Sequence, residues 1–441
     1  MLETLLKHRP IFATLLKASS MKKYLEPAFN WDPSGFSHRK KLQSIICKNL
    51  AALYKLTPND IELLEHQFEN SWSVQTGEHI WIPRVRSKAS NKISTDGIIM
   101  PSHNPLAFQG SIYWAAMSDF RNYTFSILLG TGRVPANNPI SGEYLEISRI
   151  APLIRMIPEK WNSTPQLLIP PINEHSLSKI ITALRNIGGM VSEEEFYFWL
   201  DALQKIHFEA SSFTDQIAML HSKVMNKVMP IKQLTAESEK IAINFLIELL
   251  EDNTSLTHKI FSEKKLYQIF LQKFSDINTG WTANSGPFLQ TEKNGIPTRF
   301  IEYTGEASIE KILPLLKDGF IFPKGVLKFF IFMVEAGLLS IGGMYQIEYC
   351  TEIKNRSVQF LDSLGENTCS KNLACMPTEI ATITPCWGTK SGERLLDVLD
   401  CITNPLTKND LNQILHISGE NSLQNAAIVL YPFFTSKIAK K

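Results

Sequence analysis

This chain lacks the short signatures that usually give an enzyme away. Its 441 residues contain no GxxxxGK[ST] phosphate loop, no GxGxxG fingerprint, no HExxH zinc pair and no GxSxG nucleophile elbow. Cysteine is sparse. The six are Cys47, Cys350, Cys369, Cys375, Cys386 and Cys401, none in a CxxC pair, and Cys369 and Cys375 are separated by five residues. That spacing excludes the usual zinc knuckle, and scattered thiols in a long chain predict reduced, buried cysteines and a cytoplasmic setting. Charge of one sign is also lacking: 45 basic against 43 acidic residues leave a formal charge of +2. No global field attracts nucleic acid or an anionic membrane, and the local run Arg39-Lys40-Lys41 reads as a solvated face. Long apolar runs are missing too. The longest, from Phe329 to Tyr345, is at the lower limit for a bilayer span. Glu335 interrupts it and Gly342-Gly343 breaks it, so it reads as buried core. The opening MLETLLKHRPIFATLLK is an amphipathic helix rather than a leader. No internal repeat or low-complexity tract occurs. With 44% apolar and 20% charged residues, the chain is an ordinary globular one, long enough for two or three domains.

The apolar pattern then sets an order. Residues 1–90 read as mainly helical, with Thr57-Pro58-Asn59-Asp60 opening one helix. Residues 91–190 read as alternating strands and helices: strand Gly97–Met100, helix Asn104–Phe120, strand Tyr123–Leu129, strand Gln166–Ile169 and helix Ser176–Asn186. This alternation predicts a doubly wound, Rossmann-like parallel sheet. Residues 191–278 carry long helical segments, which form either a helical hairpin with coiled-coil-like spacing or helices packed on the sheet. Residues 279–441 begin with a hairpin turning at Asn294-Gly295. They continue through a helix ending at Gly319, a second helix, and a third opening at Gly342-Gly343, into a smaller α+β part.

Three constellations can carry chemistry. Ser102, His103 and Asn104, with Gln109 and Gly110, lie where a strand meets a helix N-terminus. Unpaired amides there favour phosphate, and His103 can exchange a proton near neutral pH; simple capping by Ser102 or Asn104 is the plainer alternative. Gly130, Thr131, Gly132 and Arg133, followed by Asn138, offer close backbone approach and an arginine clamp for an anion, or a plain glycine turn. Gly342 and Gly343, with Gln346 and Glu348, form a further helix start suited to a second substrate, or a tight buried turn.

Two blocks of the sequence share a further likeness. IIMPSHNPLAFQGSIYWAAMSDF, and later PFLQTEKNGIPTRFIEY with IFPKGVLKFFIFMVEAGLLSIGGMYQIEY, resemble the cysteine ligase family of bacillithiol biosynthesis. In that family a strand runs into a Gly-Gln-Gln turn and an aromatic helix, and the second half brings a hairpin and a Gly-Gly helix start with an acid nearby. Here His103-Asn104 stand for the paired glutamines, and Gln346 for the acid, with Glu348 two residues on. The resemblance implies a nucleotidyltransferase-like core, an adenine nucleotide (ATP or ADP) with magnesium, and ligation of an amine- or thiol-bearing acid. The helical segment would correspond to the family's coiled-coil arm, a surface for a homodimer. The expectation is therefore a small-molecule ligase or transferase acting in biosynthesis, without nucleic acid or membrane as partner. In that reading His103 is the proton donor, Ser102, Asn104, Gln109, Gly110 and Gly130–Arg133 hold the nucleotide, and Asn138, Gly342, Gly343, Gln346 and Glu348 hold the substrate. Two alternatives compete with it: a non-catalytic nucleotide-binding homologue, and a protein-interaction protein that uses its helical arm.

Overall fold

The computed structural model describes residues 12–77, 105–130, 193–277, 286–291, 300–381 and 404–423, with a few single positions elsewhere. Four helices come first: α1 (Ala13–Leu16), α2 (Met21–Phe29), α3 (Arg39–Tyr54) and α4 (Pro58–Asn70). Local chemistry sets the last two. Lys55 stops α3 in the left-handed region, and Thr57 and Asp60 close a capping box around α4, with Pro58 at its first position. Strand β1 (Ser73–Gly77) follows, then α5 (Pro105–Phe120) and β2 (Phe125–Gly130), close to the helix and strand expected there. Next come α6 (Glu193–Glu209), α7 (Phe213–Val228), β3 (Lys232–Glu237), α8 (Ser238–Glu251), α9 (Leu256–Ser262) and α10 (Lys264–Phe274). Strands β4 (Phe288–Thr291) and β5 (Phe300–Glu302) lead to α11 (Ile309–Lys317), β6 (Ile321–Pro323) and α12 (Gly325–Phe330). α12 widens into a π-turn over Ile331–Glu335, and β7 (Leu339–Ile341), α13 (Met344–Ser363), α14 (Asn367–Ala374) and α15 (Lys408–Leu415) complete the order.

The architecture is mixed α/β around an all-parallel four-stranded sheet of order β3-β2-β1-β7, consistent with a Rossmann-like fold. A small antiparallel sheet, β5-β4-β6, contains the expected hairpin, with Leu289 opposite Glu302 and Thr291 opposite Phe300. The strand expected at Gly97–Met100, that at Gln166–Ile169 and the helix at Ser176–Asn186 lie outside the described residues. Two strands fall where the apolar pattern predicts only helix. β1 (SVQTG) sits inside the N-terminal helical stretch, and β3 (KQLTAE) separates α7 from α8. Both are short and polar in composition yet almost wholly buried, and only Val74 in β1 and Leu234 and Ala236 in β3 alternate with polar neighbours, too brief a pattern to stand out from the flanking helices.

The chain divides into two compact units. The first comprises Met1–Leu25, Gly77–Ala236 and Thr382–Lys441; the second comprises Glu26–Thr76 and Glu237–Ala381. In the first, α6 and α7 pack together, with Lys227 paired to Glu194 at 3.1 Å. In the second, an aromatic cluster joins α10, α12 and α13: the Phe270 ring lies 4.9 Å from Phe274, 5.0 Å from Phe330 and 6.1 Å from Phe360. Edge-on pairs of this kind add about 0.5–1.5 kcal/mol each beyond the area they bury.

The link from the π-turn to β7 is closely held. Trp72 donates its indole N–H to the Ala336 carbonyl at 2.7 Å, and Trp31 does the same to Gly337 at 2.8 Å. Gly337 has φ +66°, and a Cβ there would overlap the Phe36 ring. Conformation and space therefore both demand glycine. Gly337→Ala is expected to lower the unfolding free energy by about 1–3 kcal/mol, read as a reduced urea midpoint at unchanged slope.

Candidate functional site

Open parallel sheets bind ligands beyond the carboxyl ends of their strands. In the second unit β1 and β7 run side by side, with Ser73 beside Leu339, Val74 beside Ser340 and Gln75 beside Ile341. β7 ends in Gly342-Gly343, and Gly343 is the N-cap of the 20-residue helix α13. Gly342 is required by proximity, because a Cβ would overlap the Gln346 amide and come within 2.6 Å of the Thr76 carbonyl. Gly343 is different. It is exposed, and among the described residues nothing lies within 4 Å of where its Cβ would stand and no side chain caps the helix. The positive end of a long helix is therefore left uncovered by the described residues. Beside it, Gln346 is buried and donates to Thr76 Oγ1 and to the Ser340 carbonyl, tying α13 to both strands. Gln75 Oε1 and Ser340 Oγ are buried without a hydrogen-bond partner.

A second cluster of this unit stands where β3 passes into α8. Glu237 ends the strand and caps the helix, accepting from the Glu239 amide at 3.2 Å. Lys328, on α12, donates to Glu239 Oε1 at 2.9 Å and to Ser238 Oγ at 3.1 Å, and the Ser238 hydroxyl donates to Glu239 Oε2 at 3.1 Å. All four side chains are buried. Burial, and then the charge of Glu239, push the Glu237 carboxyl well above the ordinary carboxylate range.

A third network is built around Glu335, at the end of the π-turn. Its Oε1 accepts from the Thr257 amide and hydroxyl, both at 2.6 Å, and its Oε2 lies 3.0 Å from His38 Nδ1. His38 Nε2 reaches Asp252 at 3.3 Å, and Asp252 also takes Lys41 at 2.8 Å. Glu335 spends both oxygens on groups from other elements, so this network holds the unit together rather than awaiting a ligand.

The expected site residues fall as follows. Gly342, Gly343 and Gln346 come together at the α13 N-terminus, with Gln346 engaged by Thr76. Glu348, in the next turn, is half-buried. In the first unit Gly130 closes β2, and Gln109 and Gly110 lie in the second turn of α5. Ser102, His103, Asn104, Thr131, Gly132, Arg133 and Asn138 lie outside the described residues. The sequence reading missed Glu237, Glu239 and Lys328. Two acids at the start of an amphipathic helix look like a solvated first turn, and the lysine that meets them is 89 residues away. Also in the first unit, His221 is buried and bonded to Thr235 Oγ1 at 3.0 Å; burial pushes its imidazole down to about 4, so it is neutral. Two of the thiols are not primed for attack: burial pushes Cys47 up to about 12 and Cys369 up to about 11.

The Glu335 network makes a pH prediction. The hydrogen bond with Glu335 raises the His38 imidazole above its ordinary 6.5; burial opposes this, and Asp252 adds to it. A raised folded-state value means the stabilisation is complete below pH 6.5 and is lost as pH rises through that value. The stability gap between wild type and His38→Gln, measured by urea unfolding, is therefore expected to be widest at acidic pH and to narrow toward alkaline pH. No family model matches the chain, and neither does any curated protein.

Proposed function

We propose that this protein is a small-molecule ligase or transferase that uses an adenine nucleotide to join an amino-acid-type or thiol-bearing substrate to a second small molecule. The observation that carries this reading is the glycine-lined, uncapped N-terminus of α13 at the carboxyl end of a parallel strand. Backbone amides and the helix dipole there suit an anionic group, either the phosphate of a nucleotide or the carboxylate of an acid substrate. Among the described residues, none stands within 4 Å of the Gly343 Cβ position, which leaves room for it. Chemistry of this kind depends mainly on positioning and on stabilising developing charge, which fixed amides supply without reorganising. His103 is the residue proposed to donate a proton. Magnesium would be held chiefly by phosphate oxygens and water. Among the described residues no cluster of three or more His, Cys, Asp and Glu side chains is arranged to hold a metal.

Gly343→Asp tests the reading, because its effects on fold and on ligand have opposite signs. Aspartate is a favoured N-cap, so the free protein should be as stable as wild type or more so. The same carboxylate repels an anion from the helix end. Thermal unfolding should show a rise with ATP or ADP, and none with CTP, in wild type. Saturation at a hundred times Kd corresponds to about 2.7 kcal/mol. The rise should disappear in Gly343→Asp. A rise that survives in the variant removes the anion site from α13, and no rise in wild type with any nucleotide at millimolar concentration overturns the nucleotide reading.

A further inference from the structure

His38 is the N-cap of α3 and is 6% exposed, with a carboxylate at each ring nitrogen. Nδ1 lies 3.0 Å from Glu335 Oε2, and Nε2 lies 3.3 Å from Asp252 Oδ2. Carboxylate oxygens accept and do not donate, and a neutral imidazole has one N–H. Both contacts are therefore hydrogen bonds when the ring carries two protons. The charges agree with this geometry. Lys41 donates to Asp252 at 2.8 Å, so two carboxylates face one imidazolium and one ammonium. Cys369, on α14, is a further titratable group that faces Glu335, and burial keeps its thiol protonated.

The two carboxylates differ in what they keep when one proton leaves the ring. Asp252 retains Lys41 and, at Oδ1, the Thr254 amide at 3.0 Å and hydroxyl at 2.6 Å. Glu335 retains Thr257 at Oε1, but among the described residues Oε2 has His38 Nδ1 as its one donor. Ser37 Oγ lies 3.1 Å from Nδ1, where its hydroxyl can donate to that nitrogen once it is bare. A ring that keeps its proton on Nε2 is thus paired on both sides, to Asp252 and to Ser37. The opposite tautomer would set a bare Nε2 against a carboxylate oxygen. We propose that His38 is a proton-operated latch on the π-turn: the imidazolium ties Glu335 to the start of α3 and to Asp252 at the end of α8, and the neutral ring keeps Asp252 and releases Glu335. Release leaves a carboxylate that is 4% exposed with one oxygen lacking a donor, a cost that favours movement of the side chain. The bonds from Thr257, at the start of α9, loosen with it. The His38 amide still donates to the Glu335 carbonyl at 3.2 Å, so the two residues stay adjacent and the latch can close again. Glu335 ends the π-turn that leads into β7, so the proton on Nδ1 sets how firmly that strand begins.

Nitrogen NMR of the full chain with labelled histidine separates the imidazolium from each neutral tautomer. The His38 ring is assigned through its own backbone amide, so the wild-type titration depends on no variant. At about pH 6.5, where a free imidazole is half protonated, His38 should be mainly imidazolium. As pH rises, the proton should leave Nδ1 and stay on Nε2. Hydrogen-exchange protection of the Thr257 and Leu339 amides, corrected for the intrinsic pH dependence of exchange, should fall across the same transition. Ser37→Ala, a change at an exposed residue, removes the donor to the bare nitrogen and should move the transition to higher pH. A ring that is neutral at pH 6.5, or that keeps its proton on Nδ1 when neutral, overturns the latch. So does Thr257 protection that stays level through the titration. A fall at Thr257 with Leu339 unchanged overturns the link to β7. An unmoved transition in Ser37→Ala overturns the exchange of partners at Nδ1.

Discussion

The second unit depends on one buried carboxylate. Glu335 ends the π-turn, where a widened helix gives up its regular hydrogen bonding, and its two oxygens reach α9 through Thr257 and the start of α3 through His38. The next two carbonyls, of Ala336 and Gly337, are taken by Trp72 and Trp31. With three consecutive residues pinned, the chain has little freedom in where β7 begins. Leu339 then donates to the Trp72 carbonyl at 3.2 Å, which starts the register that sets Gln75 beside Ile341. Gly342 and Gly343 stand where they do because of contacts made several residues earlier.

Such an arrangement is costly unless every member is satisfied. A carboxylate taken out of water loses several kcal/mol of hydration, roughly regained only when its lone pairs meet donors in good geometry. Glu335 meets three, and one of them is on a histidine that it helps to keep charged. The pair at Glu237 and Glu239 meets the same problem differently: Lys328 donates to Glu239, and burial pushes the Glu237 carboxyl well above the ordinary carboxylate range. Glu335 is committed on every side to the scaffold, and moving its charge would disturb three elements.

The boundaries that local chemistry decides were legible in the sequence. The Thr57–Asp60 box, the helix stop at Gly319 and the helix start at Gly343 each rest on residues a few positions apart, and each stands close to where the sequence puts it; the turn expected at Asn294-Gly295 lies outside the described residues, but the strands on either side of it pair as a hairpin requires. Glu335 was informative too, since a charge in the middle of the Phe329–Tyr345 run argues for a core segment, and no helix among the described residues is long and apolar enough to cross a membrane. What stayed hidden is what depends on distant partners. β1 and β3 bury Gln75, Thr76, Gln233 and Thr235, residues that sequence patterns assign to the surface. Thr76 is buried because Gln346, 270 residues on, bonds to it. Lys328 lies in an apolar run with no sign that two acids await it.

Those polar strand residues bear on what the sheet does. Gln75 Oε1 and Ser340 Oγ in one unit, and Ser126 Oγ with both amide atoms of Gln233 in the other, are buried and unbonded. Each such group costs about 1–3 kcal/mol, and an apolar side chain of similar size would remove the penalty. A sheet made for stability alone would carry valine or isoleucine at these places, as buried parallel strands generally do. Gln75 and Ser340 stand on the two strands that run to the open end of α13, and Gln233 stands on the strand that ends in the acid pair. In the second unit the polar cost is borne on the two strands that the Glu335 and Trp72 contacts set in register.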